Sequence, residues 1–274
     1  MKNSNKRILL IIYPLAAVAL LFTACNQKQP ASAVPNAVTD LASDNLKGNI
    51  TQVESDSYKV DSTGKMGPID EKNIEKFDSS GFLSSSISTN GKDSIKSQSS
   101  FQHDGYGYMT AMQTTGANNE KKSSMVIEYD GPGKFTVAKA YDSTGKLDVY
   151  YADITKNQFG EVTGAKGYHK DSTLKLSFVN EFDSIYYVGG SSKDSVGKLT
   201  YSGKGTLNDK KDISKWDETT VTTDPKTKKD STKNTSTTYT YENWDSHGNW
   251  TQQTSLNEKG KPTKIVKRII IYKE

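Results

Sequence analysis

The sequence predicts an all-β chain, an antiparallel meander of successive hairpins, and three observations predict it. An aromatic or apolar residue, Asp, two small or polar residues and then Gly recur along the chain, as in Val60-Asp61-Ser62-Thr63-Gly64, Phe77-Asp78-Ser79-Ser80-Gly81 and Tyr141-Asp142-Ser143-Thr144-Gly145. The anchors are evenly spaced: Asp78, Asp104 and Asp130 are 26 residues apart, Asn157 follows after 27 and Asp183 after another 26. Fifteen tyrosines and many β-branched residues favour strands, and no long stretch of helical period follows the first 25 residues.

Taken in order, the chain begins with Lys2, Lys6 and Arg7, followed by an apolar run from Ile8 to Phe22 and small residues before Cys25. About fifteen apolar residues are too few to span a bilayer comfortably, so residues 1–24 read as a secretory leader. Leu21-Phe22-Thr23-Ala24-Cys25 resembles a bacterial lipobox, with Phe22 where Leu is usual. The resemblance implies that Cys25 is diacylated and becomes the first mature residue, anchored to membrane through its lipid. Asn26 after it resembles an outer-membrane address. With no acidic run following, the periplasmic side is favoured over the cell surface. Residues 25–47 read as the lipidated N-terminus and a flexible tether, in which Ala37 to Leu46 could make a short helix.

Residues 48–274 form one domain of repeats. Between the Asp anchors lies a second set of turns, at Asn90-Gly91, Thr115-Gly116, Asp142 to Gly145, Asp171 to Thr173 and Asp194 to Gly197, so one unit is two strands and two turns. Asp at the first turn position accepts backbone hydrogen bonds from residues further on, and Gly at the fourth takes the left-handed conformation. Strands show by alternation at Phe135, Val137, Lys139 and Tyr141; at Leu174, Leu176 and Phe178; at Tyr239 and Tyr241; and at Ile265, Lys267, Ile269 and Ile271. Thr222 to Thr237, with Pro225 and four lysines, reads as a long solvated hairpin loop, with a basic arm as the functional alternative. The expected architecture is a curled single sheet or an open half-barrel.

At these residues the chain resembles the YD-repeat, or RHS-like, family, most closely from Tyr241 to Thr251 and at Gly260-Lys261-Pro262. The likeness spans roughly residues 58 to 273 and is degenerate: Asp104 follows His103, and Asn157 replaces Asp. Small exported lipoproteins that carry such repeats are the nearest kind.

Composition narrows the chemistry. Removing Lys2, Lys6 and Arg7 with the leader lowers the formal charge from +4 to +1, so the basic pI belongs largely to the leader. Arg268 is the sole arginine after the leader, which argues against nucleic acid. With Cys25 committed to lipid, thiol catalysis and disulfides are excluded. His103, His169 and His247 lack zinc-motif spacing, so no metal site is expected. No serine lies in a Gly-x-Ser-x-Gly elbow, and Gly190 to Lys198 has the wrong spacing for a phosphate loop. No cofactor is expected, and a glycosidase-type carboxylate pair is the enzymatic alternative.

What remains is binding. Tyr106, Tyr108, Tyr150, Tyr151, Tyr186, Tyr187, Trp244 and Trp250 lie in or beside strands and are the candidate binding aromatics, with cross-strand packing as the competing role. Asp-Ser followed by Thr, Ile or Val recurs and resembles an O-glycosylation acceptor of some Gram-negative bacteria, making Ser62, Ser94, Ser143, Ser172, Ser184, Ser195 and Ser231 candidates. Two function classes follow. One is a non-enzymatic envelope lipoprotein presenting a sheet to glycan, peptide or another envelope protein; the other is a lipid or lipoprotein carrier with an apolar concave face.

Overall fold

The structure, a computed structural model, describes residues 38–274 apart from Ser62 and Pro132; the leader, Cys25 and the chain up to residue 37 lie outside the described residues. A short helix α1 (Asp40–Ser43) precedes sixteen strands: β1 (Ile50–Val60), β2 (Met66–Phe77), β3 (Leu83–Asn90), β4 (Ile95–His103), β5 (Met109–Thr115), β6 (Lys121–Tyr129), β7 (Phe135–Tyr141), β8 (Leu147–Lys156), β9 (Val162–Tyr168), β10 (Leu174–Asp183), β11 (Tyr186–Asp194), β12 (Leu199–Leu207), β13 (Ile213–Thr223), β14 (Asp230–Trp244), β15 (Trp250–Leu256) and β16 (Pro262–Tyr272). Each pairs antiparallel with the next, and β16 returns to β1 through Val53↔Ile270, Ser55↔Arg268 and Ser57↔Val266. The meander is therefore a closed sixteen-stranded barrel, and the curled sheet or half-barrel expected from sequence is overturned. Closure satisfies the backbone groups that two free edges would leave unpaired, and β1 and β16, eleven residues each, match in length.

The turn chemistry follows the sequence. Asp78 accepts from the backbone N–H groups of Ser80 (2.8 Å) and Phe82 (3.0 Å), and its own N–H donates to the Phe82 carbonyl (2.8 Å). Asn157 does the same through its amide oxygen, toward Phe159 and Glu161, so the Asn that breaks the Asp pattern preserves the geometry. Gly81, Gly133, Gly145 and Gly248 have φ of +90°, +69°, +82° and +79°, the left-handed region that the turn requires. The two turn sets fall at opposite rims. One rim carries the turns at 78–82, 104–108, 130–134, 157–161, 183–186, 208–212 and 245–249; the other carries those at 61–65, 90–94, 116–120, 142–146, 169–173, 194–198, 224–229 and 257–261. The long loop expected from Thr222 to Thr237 is mostly strand. β13 and β14 pair from Lys215↔Thr238 to Thr223↔Asp230, leaving only Asp224 to Lys229 as the turn, because Thr-rich segments on both sides satisfy the ladder as well as apolar ones do.

Strand alternation sorts residues between lumen and exterior. Lumen-facing register partners include Phe101↔Met112, Met112↔Met125, Ile127↔Ala138, Ala138↔Tyr151 and Ala165↔Phe178, and the main buried cluster comprises Met109, Met125, Ile127, Ala138, Val149, Tyr151 and Ala165. The outward partners are Val126↔Lys139, Ala152↔Lys166, Lys204↔Asp217 and Asp56↔Lys267. Ion pairs lie flat on the outer wall, Lys139 with Glu128 (2.5 Å), Lys166 with Asp153 (3.0 Å) and Lys215 with Asp217 (2.8 Å). A lysine on the lipid face of a spanning barrel costs about 2–4 kcal/mol near the bilayer midplane, and these stand on many strands around the wall. From β4 to β10 the apolar residues mostly face in and the charges mostly face out, whereas the outer wall also carries exposed Val126, Val179 and Ile269.

Candidate functional site

The residue following the turn glycine distinguishes the two rims. On the first rim it is Phe82, Tyr108, Glu161 or Asn249, each buried, apart from exposed Lys134 after Gly133, and buried Asp212 takes the corresponding place after Lys211, whose φ is +70°. On the second rim it is Lys65, Lys146, Lys198 or Lys261, and all but Lys198 are exposed. The same hairpin geometry thus folds a buried side chain under one rim and projects a lysine from the other.

The first rim is closed by residues 39–47. Thr39 caps α1, its hydroxyl accepting from the Ala42 N–H (3.1 Å), and Leu41 and Leu46 pack with Ile50, Val53 and Phe77. The segment is tied to turns spread round the rim. The Leu41 N–H donates to the Gly81 carbonyl (3.3 Å), and the Leu83 N–H donates to the Asp40 carboxylate (2.5 Å). The Asn45 amide donates to the Lys210 carbonyl (2.7 Å) and the Asp212 carboxylate (3.0 Å), while Lys47 exchanges two backbone bonds of 2.8 Å with the Asn249 side chain. Residues 39–47, which sequence placed in the tether, therefore form a plug. Among the described residues no segment crosses the second rim.

Charge is concentrated under the plug. The Arg268 guanidinium lies 3.5 Å from the centroid of Trp250, and its buried Nε has no hydrogen-bond partner. Asp44 and Glu75 face it. Burial drives the Asp44 carboxyl up to about 7, with Glu75 pushing further and Arg268 opposing, and burial likewise raises Glu75. Burial raises Asp40 to about 8 despite the bond from Leu83. Glu161 is 0% exposed, and neither of its oxygens is hydrogen-bonded; burial, helped by Asp40, takes it to about 8, while burial lowers Lys156 to about 8. Burial thus shifts the carboxyl groups of Asp40 and Asp44 in the plug, and of Glu161 beneath it, up toward neutrality.

Above this floor the lumen has two unlike arcs. From β4 to β10 it is apolar, and Phe101, Met112, Leu176 and Phe178 are only partly buried. From β1 to β4 it is hydroxyl-rich, with Ser55, Ser57, Ser86, Ser88, Ser97 and Ser99 turned inward. Tyr187 and Trp216 (ring centroids 5.9 Å apart) lie between, where Gly203 and Gly205 leave room for the indole.

The candidate aromatics do not converge. Tyr108, Tyr151 and Trp250 are buried, Tyr187 faces inward edge-on to Phe182, and Trp244 lies at the plugged rim beneath the Lys210 ammonium (3.4 Å). Tyr106 and Tyr186 are at the plugged rim, and Tyr106 is exposed. Tyr150 alone among the eight is on the outer wall, stacked on Tyr168 (5.4 Å, 24°), while its chain neighbour Tyr151 faces the lumen. Of the candidate acceptor serines, Ser94, Ser143, Ser172, Ser184, Ser195 and Ser231 are exposed, and all of these but Ser184 sit at the second rim. Ser62 and Cys25 are outside the described residues. His103 stacks on Phe82 and His247 on Tyr272, and no group of three metal-ligating side chains occurs among the described residues. Sequence reasoning missed the plug and the lysine rim. The signal for the rim was available in the residue after the turn glycine, which, Lys134 excepted, alternates in character from one turn set to the next.

No protein-family profile matches the chain, and no curated protein sequence matches it. Among solved structures, a porin-like protein from Bacteroides uniformis matches with a TM-score of 0.50 at 11% identity, covering 82% of this chain and 98% of that one. A porin-like protein from Bacteroides vulgatus matches with a TM-score of 0.33 at 9% identity, covering 82% and 99%. A complex described as TcdB2-TccC3-Cdc42 matches with a TM-score of 0.18 at 10% identity, covering 76% of this chain and 15% of that one. The first of these likenesses supports the barrel fold, and a sixteen-stranded barrel is consistent with an outer-membrane location.

Proposed function

We infer that the protein is a non-enzymatic, lipid-anchored barrel of the outer membrane that stands in water and takes an apolar or amphipathic guest into its lumen through the unplugged rim. The observation that carries this reading is the distribution of side chains across the wall. The partly buried Phe101, Met112, Leu176 and Phe178 face the lumen, while Lys139, Lys166, Lys204 and Lys267 stand on the outer wall among Val126, Val179 and Ile269, charges that a lipid-spanning wall would carry at a cost. The chain reaches the barrel at the plugged rim. Residue 38 is thirteen residues from Cys25, a span of at most about 45 Å, so an anchor at Cys25 would hold that rim toward the membrane and turn the open rim away. A second reading, a surface for glycan or peptide, is favoured by the stacked Tyr150 and Tyr168 on the outer wall.

Titration of the Cys25→Ala chain with a fluorescent fatty acid tests the first reading. Saturable binding is expected, weakened about tenfold by Leu176→Ser with Phe178→Ser, and unchanged by Val179→Ser, whose side chain points out and is 54% exposed. Circular dichroism checks that each variant is folded. Absence of binding, or equal losses from inner and outer changes, would overturn it.

A further inference from the structure

We propose that the guest is an anionic amphiphile, with its acyl chain against the apolar arc and its anionic headgroup at the unplugged rim. This inference rests on the lumen reading and adds the sign of the headgroup. The unplugged rim carries a lysine in most of its turns, whereas the plugged rim has buried groups at the equivalent position after the turn glycine, apart from Lys134. Lysines also turn inward just below the unplugged rim. Lys264 pairs in register with buried Ser255, and Lys233 pairs with Thr220, whose other neighbour is the inward Tyr201; both lysines are exposed.

The acidic groups of this rim are mostly occupied. Asp61 and Asp142 are held below the usual carboxylate range, first by the hydroxyls of Thr63 and Thr144 and then by backbone N–H groups of their own turns. Asp230 is paired with Lys198, and the lumen-facing Glu71 lies 3.2 Å from Lys96 and accepts from Ser88. Glu218, on the lumen face of β13, borders Tyr201 and Tyr239 and accepts from the Thr220 hydroxyl (3.3 Å). In the hydroxyl-rich arc Ser86 and Ser88 already donate to Asn73 (3.2 Å) and Glu71 (2.8 Å), so Ser55, Ser57 and Ser97 are the donors for the glycerol and ester oxygens of such a headgroup.

Two lysolipids with the same palmitoyl chain separate charge from burial. Palmitoyl lysophosphatidylglycerol and palmitoyl lysophosphatidylcholine are each used, below their micelle concentrations, to displace the fluorescent fatty acid from the Cys25→Ala chain. The anionic lysolipid is expected to bind at least tenfold tighter at low salt, with the gap narrowing as salt rises. Replacing Lys65, Lys146, Lys233, Lys261 and Lys264 together with Gln should bring the ratio near one and leave lysophosphatidylcholine unchanged. Glycerol 3-phosphate, which carries the charge without the chain, should not displace the probe. Equal affinities in the unmodified protein, a ratio indifferent to the five substitutions, or displacement by glycerol 3-phosphate alone would overturn the proposal while leaving the lumen reading intact. Failure of the fluorescent fatty acid and of both lysolipids to bind folded protein would instead remove the lumen reading itself.

Discussion

Glu161 is a fully buried carboxyl group without a hydrogen bond to either oxygen, at the turn position that buries Phe82, Tyr108 and Asn249 elsewhere on the same rim. Such a group is kept neutral, since an unpaired buried carboxylate costs far more than a protonated one. The consequence for stability has a definite sign. Its folded-state value of about 8 lies above the usual 4.5, so the folded form binds a proton that the unfolded form has released between those values. Its contribution is complete below pH 4.5 and is lost as pH rises to about 8. Asp40 and Asp44 behave alike, with Glu75 raised in the same sense and Arg268 and Lys156 as the cations they face. Glu161→Gln cannot ionise, so its melting temperature should fall less between pH 5 and pH 9 than that of the unsubstituted protein. Parallel pH profiles, measured by thermal denaturation, would show that Glu161 is not held neutral. The residual slope in the variant carries Asp40, Asp44 and Glu75, opposed above about pH 8 by Lys156, whose folded form gives up its proton before the unfolded form does.

The repeating element is a pair of hairpins, and its turns were legible because Asp or Asn at the first position and Gly at the fourth each have a local reason to be there. Gly145 isolates the backbone contribution: its φ is +82°, and no atom lies within 4 Å of where a Cβ would stand. Gly145→Val should therefore cost about 1–2 kcal/mol through conformation alone, whereas Thr136→Val on an exposed strand position should cost much less. Urea unfolding that gives equal losses would remove the left-handed turn from the account. The plug was less legible, although Ala37 to Leu46 did show as a possible short helix, because α1 is only four residues long and its contacts lie 40 to more than 200 residues away. No local pattern in Asn45 announces Asp212 as a partner. Leu41→Ala removes a buried side chain from the cluster with Ile50, Val53 and Phe77 and should cost about 2–4 kcal/mol. If the plug is a separable unit, hydrogen exchange should rise at residues 39–47 and at the backbone of residues 81–83, 208–212 and 247–249, while β6 to β10 stay protected. Uniform loss of protection across the barrel would mean that plug and wall unfold together.

Across the whole molecule, local turn chemistry determines hairpins but not whether the first strand meets the last. Strands β1 and β16 carry mixed patterns: Ile265, Ile269 and Ile271 alternate cleanly yet point outward, so that alternation by itself misleads about which face is the core. Closure is fixed by Val53, Ser55 and Ser57 facing Ile270, Arg268 and Val266, a pairing of residues over 200 positions apart that no hairpin signal contains. The polarity of the two faces emerges only once that ring exists. Glu54, Lys139, Lys166, Lys193, Lys204, Asp217 and Lys267 then stand on the exterior among Val126, Val179 and the outward isoleucines, and charges so placed are costly in hydrocarbon. The membrane attachment is therefore expected to rest on Cys25 alone. The Cys25→Ala chain should behave as a monodisperse barrel in detergent-free buffer, with the β-sheet spectrum and melting temperature unaltered when a mild detergent is added above its micelle concentration. A barrel that spans lipid would aggregate without detergent and regain its fold in micelles. Analytical ultracentrifugation with circular dichroism distinguishes the two, and dependence of the fold on detergent would show that the wall, with all its lysines, is nonetheless a membrane-facing surface.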